Sequence, residues 1–501
     1  MEGIRVTYSG LISFLVGAST IFTGLIFTLI ITRQLTQDEF GTWAIIGTLT
    51  GYVLLLNPII SYWNTREIAR GKETGKTAIT STGFFASIAF FVYLVIAYIY
   101  SNGVEIDQTI LLFAAILVPL QFFRGTLIGI ANGYKPQIEE FGMIVFEILK
   151  IVLALVFLYF LDLGLYGLIV VIFFSTIASI VVMIVNLKKK IKGNFSKELL
   201  KNWLKRFWIP IYPQIPVAVL STEMIIFSIF TGGVGGIAYW TAAFTVSRIV
   251  RNSRLISKAV YPKVLQDGPK EIFEKNFTHV LFFAFPLAAI SLVFAKPGLF
   301  ALNPIYQVVF PIVLWIVPTI FLRTMTEIFG SVLQGLEKVD IKEDSTFKDY
   351  IKSKLVFIPT LKIIHRISYI SIFALVLFLL SFQKLEEIEL VKYWAIVALT
   401  TQIPLTIYVY ILLHKEIKPK FETKVILKYF VSTIIVFSIM YFIIENNLEY
   451  HESIFIFLPE LIGYLIISAI GYFGLTFTID KKTRNLVKKV LKEIRGNKLN
   501  E

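Results

Sequence analysis

Long apolar runs alternate with short polar segments along almost the whole chain. Fourteen of these runs are about twenty residues long, the length that an α-helix needs to cross the hydrocarbon core of a bilayer. The first six lie near residues 9–31, 40–61, 77–100, 109–132, 141–161 and 165–187. The other eight lie near 208–231, 236–258, 277–295, 305–334, 355–382, 391–413, 425–444 and 455–478. The pattern predicts an all-α polytopic membrane protein with about 14 transmembrane helices.

Composition agrees with this class. Apolar residues make up 56% of the chain and the mean hydropathy is +0.75, whereas soluble domains are about 45–50% apolar. The formal net charge is +14, but the basic residues lie between the apolar runs, so they indicate membrane orientation and not nucleic acid binding. The chain has no cysteine, which excludes disulfides and thiolate metal sites.

Basic residues are concentrated in alternate loops, namely 62–76, 188–206, 336–354 and the C-terminal tail. The intervening loops hold little beyond Arg33, Lys296 and Lys384. Because loops rich in Lys and Arg stay in the cytoplasm, this bias predicts a protein of the cell membrane with both termini inside.

The two ends of the chain each allow two interpretations. Arg5 precedes the first apolar run as in a signal peptide, but that run is too long for a signal core and no A-x-A site follows it. The segment from Lys481 to Ile494 can form a basic amphipathic helix on the anionic leaflet. It can equally be a solvated tail that only fixes the topology.

One short pattern occurs twice, about two hundred residues apart. Pro119, Phe122, Arg124 and Gly133 are matched in order by Pro318, Phe321, Arg323 and Gly335, with the Pro-to-Phe and Pro-to-Arg spacings kept. The copies lie in the fourth and tenth runs, so they have the same orientation. The repeat predicts two six-helix bundles, 1–190 and 200–413, related by a pseudo-two-fold axis along the membrane normal. Two additional helices, 425–478, and a basic tail, 479–501, would follow.

The start of the second run carries a family resemblance. The segment Thr32-Arg33-Gln34-Leu35-Thr36-Gln37-Asp38-Glu39-Phe40-Gly41-Thr42-Trp43-Ala44 resembles the opening of the polysaccharide transporters, the O-antigen flippase-like branch of the multidrug/oligosaccharidyl-lipid/polysaccharide (MOP) exporter superfamily. Gly236-Ile237-Ala238-Tyr239 resembles the start of that family's eighth span. The resemblance implies fourteen spans and a flippase that moves lipid-linked oligosaccharide or polysaccharide repeat units by alternating access. A glycan polymerase or glycosyltransferase would be its candidate partner.

Basic residues within the apolar runs are the candidates for binding the phosphate of such a head group. They are Arg124, Lys150, Arg323, Lys362 and Arg366, with His365 beside the last two. Arg124 is the first choice because it has no acidic neighbour at helical spacing, and arginine binds phosphate through a planar fork of donors. Lys150 and Arg323 can instead pair with Glu147 and Glu327 on their own helices. Lys362 and Arg366 can instead extend to the interface.

The seventh run adds a carboxylate and three prolines. Glu223 is a candidate for ion coupling, because burial can raise the pKa of a lone carboxylate toward neutral pH. A salt bridge to Arg124 or Lys150 is the alternative. Pro210, Pro213 and Pro216 each remove a backbone donor, so this helix should be kinked or unwound there and can act as a gate or hinge. Asn57-Pro58 in the second run is another hinge candidate.

Motifs of soluble enzymes are absent from the sequence. It contains no P-loop, GxGxxG or HExxH motif and no Cys/His cluster, so neither an enzyme activity nor a cofactor is expected. A cation-coupled exporter of drugs or metabolites from the same superfamily remains an alternative. A membrane enzyme acting on lipid-linked sugars is another, although the predicted outside loops are short.

Overall fold

The computed structural model describes residues 6–257, 269–337, 339, 347–481 and 483–484, and these residues contain helices and no strand. The first α-helices are α1 (Val6–Gln34), α2 (Gln37–Leu54), α3 (Pro58–Ala69), α4 (Gly75–Ser101), α5 (Gln108–Phe113), α6 (Leu117–Tyr134), α7 (Gln137–Ala154), α8 (Gly164–Ile191), α9 (Lys197–Lys205), α10 (Trp208–Ile211), α11 (Ile215–Thr231) and α12 (Gly235–Ser247). They are followed by α13 (Pro269–Val293), α14 (Ala295–Leu302), α15 (Phe310–Gly335), α16 (Phe347–Lys352), α17 (Lys354–Ser381), α18 (Glu387–Ile417), α19 (Thr423–Asn447) and α20 (Ile454–Ile479). The predicted all-α class is confirmed.

Most predicted spans correspond to helices that can cross a membrane. By length and composition, the described residues contain eleven such segments, or twelve if the bent pair of α2 and α3 is one span. The first predicted span is represented in that test only by a shorter apolar helix, Phe22–Gln34. In the eighth, α12 ends at Ser247 and a 3-10 helix, Arg248–Ser257, follows. The chain is therefore a multi-pass membrane protein, and the count of fourteen stays a prediction.

The chain divides into two compact units. One consists of Met1–Tyr239 with Arg366–Glu387, and the other of Trp240–His365 with Ile388–Glu501. The predicted bundle boundaries at 190, 200 and 413 stay a prediction. Most of the tail helix predicted from Lys481 to Ile494 lies outside the described residues.

The helix starts follow local sequence rules. At the start of α2, the Thr36 hydroxyl accepts a hydrogen bond from the Glu39 amide, and the Glu39 carboxylate accepts one from the Thr36 amide. This reciprocal arrangement satisfies two amides that have no partner within the helix. The second oxygen of Glu39 accepts a hydrogen bond from the Leu165 amide at 3.0 Å, so the same side chain also fixes the start of α8.

A stripe of glycines on α6 sets how closely this helix approaches α3. Gly125, Gly129 and Gly133 are four residues apart and therefore lie on one face. A Cβ atom at Gly129 would lie 2.9 Å from the Ser61 carbonyl oxygen, and one at Gly133 would lie 2.6 Å from the Thr65 carbonyl oxygen. Such small residues let membrane helices pack backbone to backbone. The contact holds Arg124, which precedes Gly125, in a fixed position.

The other unit contains an aromatic core instead. Phe273 and Phe277 of α13 pack against Phe329 of α15 and against Phe421, with the Phe277 and Phe421 ring centroids 5.0 Å apart. Aromatic pairs at such distances and tilted angles are favourable beyond the apolar area that they bury.

Candidate functional site

Arg124 lies on α6, in the unit that contains residues 1–239, and its side chain is half-buried. Its guanidinium carbon lies 4.4 Å from the centroid of the Phe146 ring on α7, and Nη2 donates to the Met143 sulfur at 3.3 Å. Its Nε is buried and has no hydrogen-bond partner among the described residues. Since a thioether is a weak acceptor, these contacts hold the guanidinium while leaving donor capacity for an anion.

Two acidic side chains that helical spacing did not predict lie near Arg124. The Glu139 and Glu147 carboxylates of α7 are close enough to act electrostatically on this guanidinium. Neither forms an ion pair with Arg124 within 4.0 Å among the described residues. Arg124 thus has acidic neighbours on the next helix without forming a salt bridge to either of them.

Lys150 and Glu147 form the predicted pair within α7. The Lys150 ammonium lies 2.8 Å from each oxygen of the Glu147 carboxylate, and both side chains are less than one-tenth exposed. The Thr23 hydroxyl of α1 donates to the same carboxylate at 2.5 Å. The ammonium also lies 4.7 Å from the centroid of the Phe27 ring. The pair therefore links α7 to α1, and the role of Lys150 in substrate binding stays a prediction.

One aromatic ring connects the two basic groups. The Lys150 ammonium lies 5.2 Å from the centroid of the Phe146 ring, against which the Arg124 guanidinium also packs. Arg124, Glu147 and Lys150 therefore form one buried polar cluster, to which Thr23 contributes a hydroxyl. Only Arg124 in this cluster lacks an ionic partner at contact distance among the described residues.

Glu223 occupies a second polar site of the same unit. Its side chain is buried, and Oε2 accepts a hydrogen bond of 2.6 Å from the Tyr369 hydroxyl on α17. Tyr52 is near enough for an electrostatic interaction with Glu223. The predicted alternative, a salt bridge to Lys150, is disfavoured because Glu147 already holds that ammonium. Its role in ion coupling stays a prediction.

Contacts continue from Glu223 along α11 toward its C-terminal end. The Tyr100 hydroxyl donates to Ser228 Oγ at 2.6 Å, and the Glu105 amide donates to the Gly232 carbonyl at 2.8 Å. A Cβ atom at Gly41 would collide with the carbonyl oxygen of Val234. The C-terminal end of α11 is thus closely packed against α2 and the end of α4.

The three prolines interrupt the N-terminal end of the same span. A short helix, α10, contains Pro210; a 3-10 turn over Tyr212–Gln214 contains Pro213; and Pro216 lies in the first turn of α11. The α-helix is therefore interrupted by a 3-10 turn where the sequence predicts a kink or unwinding, within one span from Trp208 to Thr231. Hinge motion stays a prediction. The second candidate, Asn57-Pro58, lies at a bend of 59° between α2 and α3.

Arg323 belongs to the other unit, on α15. Its predicted partner, Glu327, instead forms an ion pair with Arg254. The buried Nε of Arg323 has no hydrogen-bond partner among the described residues. Arg323 thus resembles Arg124 in having a buried Nε–H that forms no hydrogen bond within the described part of the chain.

Arg254 was not among the residues predicted from sequence. A signal was present, because Arg248, Arg251 and Arg254 are three residues apart. They lie in the 3-10 helix Arg248–Ser257, in which residues three apart share a face. The hydropathy pattern alone does not identify them, because it averages these three charges with the apolar residues of the predicted span.

Lys362, His365 and Arg366 are half-buried on α17. The His365 Nε2 atom lies 3.1 Å from the Thr401 carbonyl oxygen, and the Lys362 ammonium lies beside Gly330 of α15. Lys362 and His365 belong to one unit and Arg366 to the other. Both the substrate role and the interfacial alternative stay predictions for Lys362 and Arg366.

No protein-family model and no curated protein sequence matches the chain. Among solved structures, it is similar to the lipid II flippase MurJ in an inward closed conformation, with a TM-score of 0.64 and 15% identity over 95% of this chain and 100% of that one. It is also similar to an inward-facing multidrug resistance MATE family transporter of the MOP superfamily, with a TM-score of 0.57 and 14% identity over 78% and 94% of the two chains.

A MATE protein in complex with MaL6 gives a TM-score of 0.51 and 15% identity over 82% of this chain and 96% of that one. The chain has the fold of the MOP superfamily. The predicted fold is thus supported, and both membership of the superfamily and the O-antigen flippase-like branch stay predictions. The similar solved structures are transporters, in agreement with a chain that carries no enzyme motif.

Proposed function

We propose that this chain is a flippase that moves a lipid-linked oligosaccharide or polysaccharide repeat unit across the cell membrane by alternating access. The observation that carries the proposal is the half-buried Arg124, whose buried Nε has no hydrogen-bond partner among the described residues, in a fold shared with a lipid II flippase. A charge at membrane depth is costly unless it meets water or a counter-charge. A phosphate or pyrophosphate between the lipid and the sugar would supply that counter-charge.

The proposed head-group site uses the five predicted basic residues in unequal ways. Arg124 and Arg323 each keep a buried Nε–H that is not used within the described protein, so they would contact the phosphate directly. Lys150 would bind the phosphate in exchange for Glu147, since that carboxylate binds and neutralises its ammonium in this structure. Lys362 and Arg366 would act as further cationic contacts along the path of the head group.

Glu223 is the proposed ion-coupling group. A buried carboxylate that a tyrosine hydroxyl orients can exchange between a charged and a neutral form as a cation or proton binds and leaves. The interruption at Pro210, Pro213 and Pro216 lies on the same span, so a change at Glu223 would be transmitted to the proposed hinge.

Replacement of Arg124 tests the proposal. In cells that depend on this protein for surface glycan, Arg124→Ala should reduce glycan display about tenfold to a hundredfold, because charge-assisted hydrogen bonds contribute about 1.5–3 kcal/mol. Arg70→Ala is the matched control, since Arg70 is exposed at the end of α3. Protein abundance in the membrane is measured in parallel. Unchanged display at equal abundance would remove Arg124 from the mechanism.

A cation-coupled exporter of drugs or metabolites is the second candidate, and the similarity to MATE transporters favours it. The two functions differ in their cargo. An exporter would lower the accumulation of an organic cation such as ethidium in cells, and Glu223→Gln would abolish this effect. A flippase would leave ethidium accumulation unchanged and would alter the appearance of glycan at the surface.

A further inference from the structure

The helix α9, in the basic loop between the sixth and seventh predicted spans, is a folded element anchored to the protein. Ser196 begins it by accepting a hydrogen bond from the Leu199 amide, and the Ser196 amide donates to the Thr77 hydroxyl of α4 at 3.0 Å. Trp203 is only 1% exposed and packs with Ile60 and Ala78. One face of α9 is therefore fixed against α3 and α4.

The opposite side of α9 carries positive charge. Lys197, Lys201 and Lys205 follow one another at four-residue spacing, so they lie along one face, and all three are exposed. Arg206 follows Lys205 at the end of the helix and is also exposed, and its guanidinium carbon lies 6.0 Å from the centroid of the Trp63 ring on α3. Glu198 is the single acidic residue between Lys188 and Trp208.

Exposed aromatic side chains lie at both ends of this charged face. Phe195 precedes α9 and is 46% exposed; Phe207 and Trp208 follow it and are 49% and 44% exposed. Trp208 also begins the next membrane-spanning segment, Trp208–Thr231, so the end of α9 lies at the membrane boundary. Basic side chains beside exposed aromatic residues at this depth are typical of helices that lie in the head-group region.

We propose that the exposed face of α9, formed by Lys197, Lys201 and Lys205, is a binding surface for the head groups of anionic phospholipids. The lysines would contact lipid phosphates while Phe207 and Trp208 enter the acyl boundary. Orientation alone does not require this arrangement, because an unstructured basic loop would bias the topology equally. The helical start at Ser196 and the buried Trp203 instead hold the cationic row in a fixed direction, as a binding surface requires.

The test uses the full-length protein in nanodiscs of phosphatidylcholine with increasing phosphatidylglycerol. Lipid enrichment around the protein is measured by energy transfer from its seven tryptophans, which include Trp203 and Trp208, to a labelled phosphatidylglycerol. The variant K197Q/K201Q/K205Q should lower the apparent affinity for the labelled lipid at least about tenfold, since each basic residue near an anionic surface contributes substantially. The wild-type affinity should fall as salt is raised.

Two further variants make the outcome specific. K415Q/K420Q/K424Q removes three exposed charges elsewhere and should change the affinity less than about twofold if α9 is the site. K197R/K201R/K205R keeps the charge and should retain binding, with thermal unfolding showing that each variant is folded. Equal losses in both glutamine variants, or no loss in the α9 variant, would overturn the proposal. Neither result bears on glycan transport.

Discussion

The Tyr369 hydroxyl donates a hydrogen bond of 2.6 Å to Glu223 Oε2, which joins α17 to the middle of α11 within one unit. Glu223 is buried, so the hydroxyl replaces part of the hydration that its carboxylate would have in water. The bond gives this carboxylate a defined orientation. It also makes Tyr369 a positioning residue for any ion that Glu223 binds.

Glu223→Gln should therefore separate ion coupling from folding. Glutamine keeps the shape and can still accept from Tyr369, but it loses the charge. In proteoliposomes, we expect transport that no longer responds to an imposed ion or proton gradient, while equilibration down the substrate gradient persists. Tyr369→Phe should weaken the response about tenfold to a hundredfold, because a hydrogen bond to a charged group contributes about 1.5–3 kcal/mol.

Tyr98→Phe is the control for this pair, since Tyr98 is 56% exposed on α4. It should behave as the unmodified protein does. A Glu223→Gln variant that keeps the full gradient response would exclude Glu223 as the coupling group.

The buried pair of Glu147 and Lys150 makes a different prediction. Replacing one partner leaves an uncompensated charge, so Glu147→Gln or Lys150→Met should each destabilise the protein by about 3–5 kcal/mol. The double variant E147Q/K150M should recover much of this loss, because neither charge then remains. Thermal unfolding in detergent and membrane abundance measure the three variants.

Transport by the double variant distinguishes the two roles of Lys150. If the pair only links α7 to α1, stability and transport should recover together. If Lys150 also attracts the head group, stability should recover and transport should stay low. A double variant as unstable as either single one would contradict the pair's contribution to folding.

The sequence predicts the membrane class and most spans of this chain because hydropathy measures how favourably a segment is transferred from water into lipid. It predicts the break at Pro213 because proline removes a donor regardless of the environment. It does not predict that α12 ends at Ser247 and that a 3-10 helix, Arg248–Ser257, follows. Residues 236–258 are apolar on average, so hydropathy predicts one continuous span there. Hydropathy therefore predicts the number of spans least well where a helix changes type within an apolar run.

The candidate site was predicted only in part, because side-chain partners depend on which helices become neighbours. The pair of Glu147 and Lys150 follows from three-residue spacing on one helix. The same reasoning fails for Arg323, since Glu327 pairs with Arg254, which is seventy-three residues away in sequence. Likewise, no local pattern relates Glu223 to Tyr369.

The glycine stripe on α6 predicts a packing defect at a defined position. A Cβ atom at Gly129 would lie 2.9 Å from the Ser61 carbonyl oxygen, so Gly129→Ala must push α3 away from α6. We expect a loss of about 1–3 kcal/mol, typical of overpacking, and a larger loss for Gly129→Val. Thermal unfolding measures both variants.

Gly47→Ala is the matched control, because nothing lies within 4 Å of a Cβ atom at Gly47 on α2. Alanine there should be neutral or stabilising by about 0.5–1 kcal/mol, since it restricts the unfolded chain. Equal destabilisation by Gly47→Ala and Gly129→Ala would show that close helix packing is not the reason for the glycine.

The packing at the C-terminal end of α11 predicts that a cross-link there stops transport. The Glu105 amide donates to the Gly232 carbonyl, so residues 105 and 233 are close neighbours. The chain has no cysteine, and the variant E105C/G233C therefore introduces a single pair. If alternating access separates this end of α11 from the end of α4, oxidation should reduce transport to background and reduction should restore it. Each single variant controls for the substitution itself, and transport that persists in the fully cross-linked protein would show that these two segments stay together throughout the cycle.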